Sequence, residues 1–202
     1  MDIRFESHDV FDPNQPDEAK LPFRLANSVH ARTKQKVIAR ELFFSVGDPF
    51  NDALLRELER NLRRLSFIRK AEVVGVDTSS GAVVIVRTWD AWTMEIITKF
   101  KRAGGVNDTK FGLADRNLFG YGKTASLVHS QSGHVIDRTF AYRDPQLFGE
   151  RLDLDLSGGE SNDARHYALS LGKQFYASIT RTSIRALGRY VDEKFPLYDG
   201  EA

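Results

Sequence analysis

From Trp89 onward the helical period disappears, and apolar and polar side chains alternate residue by residue. The run Arg151-Leu152-Asp153-Leu154-Asp155-Leu156-Ser157 puts only Leu on one face and Arg, Asp and Ser on the other. Tyr167, Leu169 and Leu171 alternate with His166, Ala168 and Ser170 in the same way, and Arg181, Ser183 and Arg185 oppose Thr182, Ile184 and Ala186. The pattern predicts seven strands, near 93–101, 109–117, 122–130, 135–144, 150–158, 165–173 and 178–190. Their lengths match the ~9–11 residues that a tilted strand needs to cross a bilayer. Such alternation also suits a soluble sandwich with one solvated face.

The connections discriminate. Three are polar: Arg102-Ala103-Gly104-Gly105, Ser130-Gln131-Ser132-Gly133 and Gly158-Gly159-Glu160-Ser161-Asn162-Asp163. Between them fall three aromatic ones: Asn117-Leu118-Phe119-Gly120-Tyr121-Gly122, Pro145-Gln146-Leu147-Phe148-Gly149 and Gln174-Phe175-Tyr176-Ala177. In an up-and-down meander alternate turns share an end of the sheet, so the aromatic turns gather at one rim. Membrane interfaces collect aromatic rings in that manner, and a soluble sandwich has no reason to. Leu118, Phe119, Tyr121, Leu147, Phe148, Phe175 and Tyr176 are therefore candidate membrane-interface residues. Leu-Phe-Gly recurs at 118–120 and 147–149, with Asp115 and Asp144 each three residues before the Leu. That interval is one hairpin, as expected of a meander growing two strands at a time.

Composition narrows the classes. Lys and Arg total 29 against 28 acids, for a net charge of +1, which gives no basic excess for nucleic acid. No run approaches the ~18 apolar residues of a transmembrane helix. With no cysteine, disulfides and thiolate chemistry are excluded. Met1-Asp2-Ile3-Arg4-Phe5-Glu6 lacks the layout of a signal peptide.

The front third reads as a small α/β module. Ile3 to Val10 forms a strand, broken by Asp12-Pro13-Asn14-Gln15-Pro16-Asp17. Thr33 caps a helix over Lys34 to Phe44 that places Val37, Ile38 and Leu42 on one face, and Gly47-Asp48-Pro49 stops it. Asn51 caps a second helix carrying Leu54, Leu55, Leu58, Leu62 and Leu65. Lys70 to Val76 and Ala82 to Arg87 are strands joined by Thr78-Ser79-Ser80-Gly81. Arg63, Arg64, Arg69 and Lys70 could form a ligand patch, but their interleaving with Glu reads more simply as a solvated face.

No catalytic constellation emerges. Gly120-Tyr121-Gly122-Lys123-Thr124 imitates the end of a P-loop, but Asn117 stands where that motif needs a small residue, and a strand follows instead of a helix. Of the histidines (His8, His30, His129, His134, His166), only His129 and His134 lie close in sequence, without reliable ligand spacing. Ser132-Gly133 lacks the elbow of a hydrolase. Asp153 and Asp155 share a strand face, where solvation explains them. No enzyme activity, cofactor or metal is expected.

Thr33 to Arg87, with Val37-Ile38-Ala39-Arg40-Glu41-Leu42 and Gly47-Asp48-Pro49-Phe50, resembles a POTRA domain, the polypeptide-transport-associated module. Trp89-Asp90-Ala91-Trp92-Thr93, Phe111-Gly112-Leu113-Ala114-Asp115-Arg116-Asn117-Leu118-Phe119-Gly120 and Tyr142-Arg143-Asp144-Pro145-Gln146-Leu147-Phe148-Gly149 resemble the barrel entry of BamA/TamA-type outer-membrane proteins. The resemblance implies an α+β POTRA module (β-α-α-β-β) over 1–90 and the first strands of an antiparallel transmembrane β-barrel (the bacterial surface antigen type) over 91–202. Family barrels have about sixteen strands. The chain is thus expected to be incomplete, with its signal peptide and the remaining strands lying beyond it. An open barrel would otherwise expose ladder groups to lipid.

The family implies a non-enzymatic role in outer-membrane protein assembly or polypeptide translocation, with the POTRA module in the periplasm. Partners would be outer-membrane lipid, unfolded outer-membrane or secreted polypeptides and accessory periplasmic or lipoprotein subunits. By the family pattern the second POTRA strand is the client-binding edge, which nominates Ala71, Glu72, Val73 and Val74, and strand 93–101 is the candidate lateral gate. Alternatives are a two-partner secretion transporter, the barrel portion of a patatin-like lipase fusion, and a soluble β-rich binding protein.

Overall fold

A computed structural model describes residues 2–49, 51–78, 81–173 and 183–194. The chain divides into two compact units: Met1–Met94 with Arg116–Gly122, and Glu95–Asp115 with Lys123–Ala202.

In the first unit β1 (Asp2–His8), β3 (Gly81–Asp90) and β2 (Ile68–Thr78) form a three-stranded sheet in the order β1-β3-β2. β1 runs parallel to β3, pairing Ile3 with Val84 and Phe5 with Val86, whereas β2 runs antiparallel to it. A parallel pair needs a crossover rather than a hairpin. Three helices lie in that crossover: α1 (Leu21–Val29), α2 (Gln35–Ala39) and α3 (Asp52–Leu62). The order is therefore β-α-α-α-β-β, one helix more than the sequence pattern predicts. Val37 and Ile38 of α2, and Leu55, Leu58 and Leu62 of α3, pack onto Ala71, Val73, Val84 and Val86 of the sheet.

The helix expected over 34–44 is cut to α2, and its cap is Lys34 rather than Thr33. At about 100° per residue, Phe43 would stand on the far side of a continuous helix from Ile38 and Leu42. Turning after Ala39 instead lets Leu42, Phe43 and Phe44 all reach the core. Helix α1 follows a turn rich in Asp and Pro, and its signal was Pro22 in the first turn with Leu21, Leu25 and Val29 four residues apart. Asn51 does cap α3, its Oδ1 accepting the Ala53 N–H at 2.9 Å. Replacing Asn51 by Ala should lower stability by about 1 kcal/mol in urea titration, while Asn51→Ser should lose little.

The second unit is a seven-stranded antiparallel meander in the order β10-β9-β8-β7-β6-β5-β4. Its strands are β4 (Met94–Ala103), β5 (Val106–Asp115), β6 (Thr124–Ser132), β7 (Val135–Asp144), β8 (Asp153–Ser161), β9 (Ala164–Lys173) and β10 (Ile184–Glu193). Most bounds slide by one to three residues toward the polar-turn ends: the Leu-Phe-Gly segments fold as tight turns from which β5 ends at Asp115 and β6 and β8 start at Thr124 and Asp153, while the ladders extend further into the polar connections. The last strand begins at Ile184; the expected 178–182, with Phe175 and Tyr176, lies outside the described residues. Gly158, Gly159 and Glu160 are strand, not turn. A Cβ on Gly158 would fall 2.5 Å from the Tyr167 ring and 2.7 Å from that of Phe140, so the glycine lets two neighbouring aromatics close over β8.

Candidate functional site

Cross-strand register sorts the meander into two unlike faces. One row runs Leu113–Leu127–Phe140–Gly158–Tyr167–Tyr190 across β5 to β10. The adjoining rows add Tyr142–Leu156–Leu169 and Leu154–Leu171. Leu113, Leu127, Phe140, Tyr167, Leu169, Leu171 and Tyr190 are all exposed, Leu127 at 68%. This is a contiguous apolar band that no described residue of the unit covers. At the end nearest the polar turns it stops at a row of alternating charge, Arg138–Glu160–Arg165–Asp192. Arg165 Nη2 lies 2.8 Å from Glu160 Oε1 there. The opposite face carries small and polar side chains in register, among them Ser126, Ala141, Ser157 and Ala168. Arg143 on that face bridges Asp153 at 3.6 Å and Asp155 at 3.4 Å. Those two aspartates are thus ion-paired neighbours rather than a catalytic couple.

The Leu-Phe-Gly repeat is conformational as well as sequential. Phe119 and Phe148 both sit in the left-handed region (φ 53° and 56°), each followed by a glycine of positive φ. Asn117 and Gln146 enter the two turns with the same backbone angles, φ −139° and −138°. Left-handed backbone is uncommon for a residue other than glycine, and here it turns the ring out of the chain: Phe148 is 91% exposed and Phe119 70%. Leu118 and Leu147 are half-buried. In the second turn Asp144 Oδ1 accepts the Gln146 N–H at 3.1 Å, while Oδ2 meets Lys123 Nζ at 3.0 Å.

Residues 116–122 belong to the first unit, where a buried polar network holds them. Asn117, 1% exposed, donates from Nδ2 to Thr33 Oγ1 at 2.8 Å and accepts the Gly122 N–H on Oδ1 at 2.8 Å. The Lys34 N–H donates to the Gly120 carbonyl at 2.9 Å. Asp90 Oδ2 accepts both the Thr33 N–H at 2.7 Å and His30 Nε2 at 2.9 Å. Tyr121 lies under the Lys36 ammonium, 4.7 Å from the ring centroid. None of this network is legible in the sequence, since its partners are up to 86 residues apart.

Ala71, Glu72, Val73 and Val74 lie together on β2, at the edge of the three-stranded sheet. Ala71 and Val73 turn into the core, and Val74 is exposed on the other face. Lys70 Nζ sits 2.7 Å from Glu72, and this contact holds the Glu72 carboxyl below the ordinary carboxylate range. Among the described residues no group of three His, Cys, Asp or Glu could hold a metal ion. No described helix is long and apolar enough to cross a membrane, which says nothing of strands.

No family model and no curated protein matches the sequence. Solved structures do. The crystal structure of BamA from Haemophilus ducreyi lacking POTRA domains 1-3 matches 84% of this chain and 32% of its own, at 14% identity and a TM-score of 0.52. CdiB from Acinetobacter baumannii matches 95% of this chain and 39% of its own, at 13% identity and a TM-score of 0.52. The fold is of the BamA type. The meander resembles part of the BamA barrel, and the chain spans 32% and 39% of those two structures' length.

Proposed function

We propose that this chain forms part of an outer-membrane machine that inserts or translocates polypeptides, with residues 91–202 entering the membrane as barrel wall and residues 1–90 acting as a periplasmic POTRA module. The apolar band carries the reading. Arg165 and Lys173 lie on its face eight residues apart, about 27 Å along the strand. At a strand tilt of ~40° that is about 20 Å along the membrane normal, and the aliphatic stems of both side chains can extend to the headgroups on either side. A soluble sheet would have to cover such a surface. Phe148, turned outward at the rim opposite the polar turns, suits the periplasmic interface, and Phe119, in the same left-handed conformation, is assigned the same role. Leu118, Tyr121 and Leu147 would support them, and Phe175 and Tyr176 would join them.

Client capture is assigned to the β2 edge. An extended polypeptide added there would be held by backbone hydrogen bonds with little sequence preference, which suits a machine with many clients. The Val73 N–H points away from β3 toward α3, so proline at 73 spares the β2–β3 ladder while blocking the edge. Val73→Pro should reduce photocrosslinking of unfolded outer-membrane polypeptides to this strand by about tenfold, and unchanged crosslinking would reject the assignment.

A second reading, compatible with the fold shared with CdiB, is a two-partner secretion transporter whose barrel exports one dedicated exoprotein. A neighbouring gene for a large secreted β-helical protein would select it.

A further inference from the structure

The β2 edge already has an occupant at one point. The Val73 N–H donates to Glu59 Oε2 of α3 at 3.2 Å, while Glu59 Oε1 meets Arg63 Nη1 at 3.2 Å. N–H groups alternate sides along a strand, so those of Ala71 and Gly75 point the same way as that of Val73. An incoming strand must therefore bring its own carbonyl to the place that the Glu59 carboxylate holds. We propose that Glu59 is an internal stand-in for the captured strand, displaced when an extended polypeptide docks on β2.

The inference rests on the edge-capture reading above and adds a selection rule to it. A hydrogen bond to an ionised acceptor is stronger than one to a neutral carbonyl, so a ligand offering a single carbonyl does not displace Glu59. A longer extended segment does, because its other ladder bonds to β2 add to the exchange. The displaced carboxylate keeps Arg63 as partner and lies beside the new strand, which disfavours an acidic side chain at that register. The occupied edge is also protected from pairing with another copy, the liability of any free strand.

The test uses the full protein in lipid vesicles and a fluorescein-labelled ten-residue peptide of alternating Val and Thr, followed by fluorescence anisotropy. Glu59→Ala should tighten peptide binding by about fivefold, and Glu59→Gln, which leaves a neutral acceptor, by less. Amide exchange at Val73 should accelerate in Glu59→Ala without peptide. If Glu59→Ala does not fold, Glu59→Asp, with its carboxylate withdrawn by one methylene, should give the same tightening. Unchanged or weaker binding in a folded Glu59 variant, with Val73→Pro weakening it, overturns the stand-in role and leaves the edge reading in place. Binding untouched by Val73→Pro overturns the edge reading itself.

Discussion

Replacing Asp90 by Ala should destabilise the first unit by about 3–5 kcal/mol, the cost of breaking a buried polar pair from one side. Asp90 is fully buried, and its Oδ2 accepts two hydrogen bonds, from His30 Nε2 and from the Thr33 N–H. Deleting the carboxylate strands both donors in a dry interior. It also loosens Thr33, whose hydroxyl accepts from Asn117, so the damage spreads to the 116–122 turn. Asp90→Asn keeps one acceptor and should cost less than half as much. The chain's two tryptophans, Trp89 and Trp92, flank this residue. Urea unfolding followed by tryptophan fluorescence therefore reads the affected unit directly, and an Asp90→Ala midpoint equal to wild type would refute the role given to the network.

Leu169→Arg should block membrane assembly of the sheet. Leu169 lies at the middle of β9 on the apolar face, four residues from Arg165 and four from Lys173. A guanidinium at the bilayer midplane of a barrel costs about 2–4 kcal/mol, and at that depth it is too far from either headgroup layer to reach it. The neighbouring Ala168→Arg puts the same charge on the polar face, beside Ser157 and Arg189, and should leave assembly nearly unchanged. The pair is scored by the gel-mobility shift of the folded barrel and by urea unfolding in vesicles. Equal losses in both variants would remove the distinction between the faces.

The two faces of the meander were legible in the sequence because a period of two is local. Each of Leu154, Leu156, Leu169 and Leu171 declares its side through its immediate neighbours. The Leu-Phe-Gly repeat was legible for the same reason, and its shared left-handed Phe shows that the repetition is physical. Long-range polar contacts were not. Nothing near Asn117 signals a partner at Thr33, and nothing near Glu59 signals Val73. The 34–44 helix was misjudged because Val37, Ile38 and Leu42 do share a face. What ends the helix is the need to bury Phe43, which a continuous helix would turn away from that face, a constraint that exists only once the sheet is present. The candidate capture edge came from family resemblance, and the structure adds its position at the margin of the sheet and the side chain that occupies it.

On the reading proposed above, one face of the meander meets lipid and the other does not. These 202 residues contain no cysteine, so, once any cysteine outside them is replaced, single cysteines placed in turn at 167 to 171 along β9 can be labelled without background. With the full-length protein in vesicles, a polarity-sensitive fluorophore should be quenched by brominated lipid at Tyr167, Leu169 and Leu171 and by aqueous iodide at Ala168 and Ser170. Strict alternation is the predicted result. Five positions equally open to iodide and untouched by brominated lipid would mean that neither face of β9 lies against the membrane.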